Sequence, residues 1–270
     1  MLAIIIPYYK LAFFEATLQS LVAQTCQDFK VYIGDDASPE DPKVLLEQFQ
    51  GKFDFLYHRF EENLGSTSLT QQWERCIALS DNEPWLMILG DDDVLGENVV
   101  EEFYRNLPEI EEIGCNVVRF ATQKLNEFGE CISEIYLHPK VEKASDFFLR
   151  KTRSSLSEYV FRKVNVVKIG FRDFALGWYS DVMAVLEFSD FDTVFTMNES
   201  LVFIRISNYS ISGKQDNFKL KSSATFDFYY YLLKNKKQIF DKLQTKELKK
   251  CICKAYLNDK KQVLNFFKIF

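Results

Sequence analysis

Five apolar residues, Trp85-Leu86-Met87-Ile88-Leu89, run through one glycine into three consecutive aspartates, Asp91-Asp92-Asp93. A short apolar run bounded by turn residues reads as a buried strand. Three adjacent carboxylates repel one another, so a fold that keeps them together needs a compensating charge. Hard divalent cations such as magnesium or manganese take oxygen ligands of this kind. The pattern therefore places the acids, and any cation they hold, at the rim of a sheet.

The first hundred residues alternate strand and helix signals. Strands are expected over 2–7, 29–34, 53–57 and 85–89. Helices are expected from Phe14 to near Gln24, over 42–50 with Asp41 as cap, over 66–79, and over 98–107 with a break at Pro108. Alternation of this kind implies right-handed crossovers and a mostly parallel sheet with helices on both faces. Each strand ends in a polar cluster: Pro7-Tyr8-Tyr9, Asp35-Asp36-Ala37-Ser38, Glu62-Asn63-Leu64-Gly65-Ser66 and Asp91-Asp92-Asp93. Ligands of open parallel sheets bind beyond the carboxyl ends of the strands, so the four clusters should meet at one crevice. There a carboxylate of Asp35-Asp36 suits a base N–H or a ribose hydroxyl, and the Asn63–Gly65 loop offers backbone N–H groups. The chain has no GxxxxGK[ST] or GxGxxG loop, so a nucleotide would be held through its metal, base and sugar.

The second part reads as strands at 117–122, 159–162 and 194–207, a hairpin over 124–134, a helical stretch at 164–169 stopped by Gly170, and a helix over 181–188 capped by Ser180. From about Lys219 the pattern is helical and basic. Residues 214–270 hold 14 lysines and 5 acids, against 19 basic and 34 acidic residues before them. An acidic body of this kind argues against nucleic acid as partner. The lysine-rich tail reads as amphipathic helices packed on the body, or as a contact with an anionic membrane. With no apolar run near the ~20 residues of a membrane span, no secretory signal pattern and six scattered cysteines, the chain reads as cytoplasmic with free, buried thiols.

Ile4-Ile5-Ile6-Pro7-Tyr8-Tyr9, Gly34-Asp35-Asp36-Ala37-Ser38, Asn63-Leu64-Gly65 and Leu89-Gly90-Asp91-Asp92-Asp93 resemble, in order and spacing, the successive motifs of family 2 glycosyltransferases. Gln72-Trp73-Glu74-Arg75-Cys76-Ile77 resembles the helix that precedes the acidic motif in that family. The resemblance implies an α/β fold of the GT-A type: a mostly parallel sheet flanked by helices, a small mixed acceptor region and a helical C-terminal tail. It divides the chain into a nucleotide-sugar-binding half (1–110), an acceptor-binding and catalytic-base half (111–213) and a basic helical segment (214–270).

The resemblance also implies roles. Pro7, Tyr8, Asp35, Asp36, Asn63, Gly65, Asp91 and Asp92 would bind the donor, a nucleotide-diphosphate sugar. Asp93 would hold Mn2+ or Mg2+, since it belongs to the working pair whether that pair is Asp91 and Asp93 or Asp92 and Asp93. Asp181 occupies the place of the general base, with Ser180 where the family usually has Glu. Arg205 opens the stretch Arg205-Ile206-Ser207-Asn208-Tyr209-Ser210, where such enzymes close a loop over the donor, and is a diphosphate-binding candidate. The implied activity is inverting, metal-dependent transfer of one sugar to a hydroxyl of a saccharide or lipid-linked saccharide. The QxxRW motif of processive synthases is absent. A sugar-phosphate nucleotidyltransferase, or a non-catalytic nucleotide-sugar-binding module, is the alternative.

Overall fold

A computed structural model describes residues 1–150, 153–207 and 217–258. Its sheet is built from β1 (Leu2–Tyr8), β2 (Phe29–Asp35), β3 (Phe55–Arg59), β4 (Trp85–Ile88), β5 (Val94–Leu95), β6 (Val117–Leu125), β7 (Val141–Lys143), β8 (Tyr159–Arg162) and β9 (Thr193–Arg205). The order is β3-β2-β1-β4-β8-β6-β9-β5, with β7 also paired to β9. Strands β1 to β4 run parallel, as do β6 and β9, while β8, β5 and β7 pair antiparallel with their neighbours. Because β8 sits between β4 and β6, the first and second halves of the chain share one sheet.

The apolar content of β1 follows from its central place. Ala3 and Ile5 face one core, Leu2, Ile4 and Ile6 the other, and all five are fully buried. Alternate residues of a strand point to opposite faces, so a strand covered on both sides must be apolar throughout. On the second of these faces lie α1 (Phe14–Val22), α2 (Lys43–Glu47) and α4 (Val99–Ile113), through Phe14, Leu18, Leu21, Leu46 and Phe103. The first face is covered by α3 (Leu69–Ile77), α5 (Ala144–Leu149), α6 (Lys163–Ile169), α7 (Ser180–Phe188), α8 (Phe218–Asn235) and α9 (Lys242–Asn258). The lysine-rich segment is thus docked on the body through Phe226, Phe228, Leu232, Leu248 and Ile252. None of the described helices is long and apolar enough to cross a membrane.

Several local expectations change. The break at Pro108 does not occur: α4 continues to Ile113. Proline removes one hydrogen bond there, but buried Ile110 anchors the last turn, and Gly114, at φ 75°, closes it in the left-handed region. Helix α2 is shorter than 42–50, and Asp41 accepts from Lys43 N–H at 3.0 Å from one position outside the cap. Phe53 packs among Phe29, Phe49 and Phe55, which moves the third strand two residues on. Ser180 begins α7, and the residue before it, Tyr179, turns the chain at φ 71°. The 124–134 hairpin forms, with Asn126 N–H bonded to Glu130 O at 3.0 Å and Gly129 at φ 82°. Among the cysteines only Cys76 and Cys115 are buried.

One buried histidine gives the fold a pH signature. His138 is 5% exposed and its Nδ1 accepts from Arg150, 3.1 Å away, which leaves the ring proton on Nε2. Burial, helped by Arg119, Arg150 and Arg153, pushes its pKa down to about 3. The folded state therefore binds fewer protons here than the unfolded chain, whose imidazole titrates near ~6.5. This contribution is complete above ~6.5 and is lost as pH falls toward the folded value. Between pH 6.5 and 5 it removes about 2 kcal/mol. Urea unfolding of wild type and His138→Gln at pH 7 and pH 5 should show that difference in pH dependence; parallel curves would contradict it.

Candidate active site

The carboxyl ends of β1, β2 and β4 and the residues before β8 meet along one edge. Tyr9 N–H and Lys10 N–H both donate to Asp91 Oδ2 at 2.7 Å, which ties the turn after β1 to the acidic turn after β4. Asp36 does the same for the third loop: it accepts from Leu64 N–H at 2.8 Å and Gly65 N–H at 2.9 Å, and pairs with Arg75. Gly65 is required there, because a Cβ would stand 2.5 Å from Asp36 Oδ2. Burial raises the Asp36 carboxyl, opposed by those two N–H groups and Arg75.

These elements enclose two adjoining cavities. The first, about 730 Å3, is lined by Pro7, Tyr8, Asp36, Asn63, Gly65 and Asp91, among others. The second, about 590 Å3, is lined by Lys124, Arg153, Trp178, Tyr179 and Asp181. Lys10, Trp73, Asp91 and Asp92 border both, so the acidic turn lies at the seam. Asp181 stands in the first turn of α7, where burial raises its carboxyl against the pull of Ser154 and Arg153.

Asp35, Asp93 and Arg205, all expected at the ligand, border neither cavity. Asp35 is fully buried and accepts from Ser38 N–H, the Tyr57 hydroxyl and Arg59. Arg205 is a clamp: its side chain donates to Asp92 O at 3.0 Å and Asn126 O at 2.8 Å and lies over the Phe13 ring. Asp93 accepts Arg205 N–H at 2.9 Å on Oδ1 and the Ser157 hydroxyl on Oδ2. The Tyr8 hydroxyl points away, donating to Glu40 O at 2.7 Å. Residues 208–210 of the expected closing loop lie outside the described residues. No group of three or more potential metal ligands gathers among the described residues.

The acidic turn nevertheless suits a cation held by two carboxylates, with water and phosphate supplying the rest. Burial, with repulsion from Asp92, pushes Asp91 up to about 7; burial, with repulsion from Asp93, pushes Asp92 up to about 7; and burial pushes Asp93 up to about 6. Among the described residues, the Asp92 carboxylate draws a hydrogen bond from its own backbone N–H. A Cβ on Gly90 would lie 3.0 Å from Asp93 Oδ2 and 3.2 Å from Asp92 Oδ1. Both oxygens thus lie close to Gly90, and a side chain there would crowd them. Oδ2 of Asp93 accepts a single hydroxyl, and a carboxylate oxygen carries a second lone pair.

The sequence model of Glycosyl transferase family 2 matches residues 3–163, more than half of the chain. The chain belongs to that family. As a family 2 glycosyltransferase its sheet is of the GT-A type, and solved structures agree. S. aureus TarS 1-349 in complex with UDP-GlcNAc is similar at a TM-score of 0.69 and 12% identity, over 99% of this chain and 79% of that one. A second S. aureus TarS structure gives 0.64 at 12%, over 99% and 54%. GalNAc-T7 with UDP, GalNAc and Mn2+ gives 0.58 at 11%, over 100% and 58%. No curated protein shows a significant sequence match.

One segment that borders the first cavity, residues 155–157, was not among the residues expected from the sequence. Ser157, in the 3-10 turn Leu156–Glu158, donates to Asp93 and accepts from Gly90 N–H at 3.0 Å, so it brackets the acidic turn. Its neighbour Glu158 is fully buried against Arg153 at 2.8 Å, and burial pushes its carboxyl up to about 7. The Ser155…Glu158 capping box was the available signal, since a Ser followed three residues on by Glu marks a helical start.

Proposed function

We propose that the chain is an inverting glycosyltransferase that moves one sugar from a nucleotide-diphosphate sugar to a hydroxyl acceptor. The observation that carries this reading is the pair of adjoining cavities, with Asp91 and Asp92 at the seam and Asp181 on the far side. The donor class is taken from the similar structures, since TarS binds UDP-GlcNAc and GalNAc-T7 binds UDP. In our assignment the first cavity receives the nucleotide, between Pro7, Tyr8 and the Asn63–Gly65 loop that Asp36 braces. Asp35 and Arg205 serve by holding this frame, Asp35 through Arg59 and Arg205 through the acidic turn.

Asp92 and Asp93 would hold Mn2+ or Mg2+, which neutralises charge on the leaving diphosphate. Asp91 fixes the turn after β1 against the acidic turn. The second cavity receives the acceptor, a saccharide or lipid-linked saccharide of cell-surface polysaccharide or glycolipid assembly, between the aromatic walls of Trp73, Trp178 and Tyr179. Asp181 takes the proton of the attacking hydroxyl, and its burial makes it a better base than an exposed carboxylate. One in-line displacement then inverts the anomeric carbon with no covalent enzyme intermediate.

Hydrolysis of UDP-, GDP- and dTDP-sugars with manganese or magnesium tests the reading. One nucleotide series should be cleaved slowly without acceptor, and cleavage should stop with EDTA. Synthesis of the nucleotide sugar from a sugar phosphate and a nucleoside triphosphate would favour a nucleotidyltransferase. Donor binding without turnover under any acceptor would favour a non-catalytic module.

A further inference from the structure

We propose that the outward face of α9 is a contact surface for an anionic lipid bilayer. The helix buries Leu248, Ile252 and Ala255 against α8 and the body. At ~100° per residue, Leu243, Lys246, Lys250, Lys254 and Leu257 fall on the opposite side. All five are exposed, Leu243 at 76% and Leu257 at 68%. Three lysines thus lie between two leucines whose Cα atoms are ~21 Å apart along the axis. Lys237, Lys242 and Lys249 line a shallow groove alongside. Glu247 pairs with Lys250 and takes back part of the charge.

Charge chooses the partner's sign, and the leucines choose its kind. Residues before 214 carry 34 acids against 19 basic side chains, so a negatively charged surface repels the body and attracts this end. A soluble polyanion would satisfy the lysines and leave both leucines in water. A bilayer interface takes both, with lysines among the headgroups and leucines at the acyl boundary. This surface lies apart from both cavities, so it stands or falls separately from the proposed transfer reaction.

Flotation of the full chain with phosphatidylcholine vesicles, with and without phosphatidylglycerol, tests it. The chain should float only with the anionic vesicles. Combined Lys246→Gln, Lys250→Gln and Lys254→Gln should weaken partitioning ~100-fold, from about fivefold per lysine. Leu243→Ser with Leu257→Ser should weaken it at least ~10-fold. All five positions are exposed, so thermal midpoints and donor hydrolysis should match wild type. Three results would overturn the proposal: no flotation of the wild type, equal flotation of the lysine variant, or full competition by soluble polyphosphate with the leucine variant unaffected.

Discussion

Replacing either Asp92 or Asp93 by asparagine should abolish metal-dependent donor binding and lower turnover by ~1,000-fold, the scale of several kcal/mol of lost charge stabilisation. Asparagine keeps the shape of both side chains. At Asp93 it can still accept from Arg205 N–H and can donate to the Ser157 hydroxyl in place of accepting from it. The fold is therefore retained and the charge is what goes. Gly90→Ala should act through the same place, because its methyl would crowd Asp93 Oδ2 at 3.0 Å and Asp92 Oδ1 at 3.2 Å. Calorimetric titration of manganese and UDP into each variant reads the effect directly. Wild-type affinity in both aspartate variants, or wild-type turnover in EDTA, would remove the cation from the site.

These residues also mark what the sequence could convey. The four strand ends were legible because apolar runs on a buried parallel sheet are continuous and their polar ends are local. Which neighbour faces the ligand was not. Asp35 and Asp36 differ by one position, yet Asp35 turns to Tyr57 and Arg59 under the sheet edge while Asp36 braces the Asn63–Gly65 loop. Only the tertiary pairing of β2 with β3 separates them. The same holds for Asp93, whose partners Ser157 and Arg205 lie 64 and 112 residues away in sequence. Pro108 misled because local helix chemistry was outweighed by the burial of Ile110 and the Gly114 cap.

Asp181→Asn should separate binding from chemistry. A positioned general base contributes ~100- to 10,000-fold, so turnover should fall by about 1,000-fold while donor affinity and its metal dependence stay at wild-type values. That split follows from placement: Asp181 borders the second cavity, whereas the Asn63–Gly65 loop and the Pro7–Tyr8 turn border the first. The carboxyl is raised by burial, so the acid limb of the wild-type rate profile should lie above the ordinary aspartate value of ~4. The sign follows from the role, because a base works only when deprotonated and activity is lost as pH falls through its pKa. The same limb should vanish from the residual activity of the asparagine variant. Steady-state kinetics across pH, with donor binding measured in parallel, decides it. Undiminished turnover in Asp181→Asn would pass the role to another acid, and Asp173, which borders the first cavity, would be the next to test.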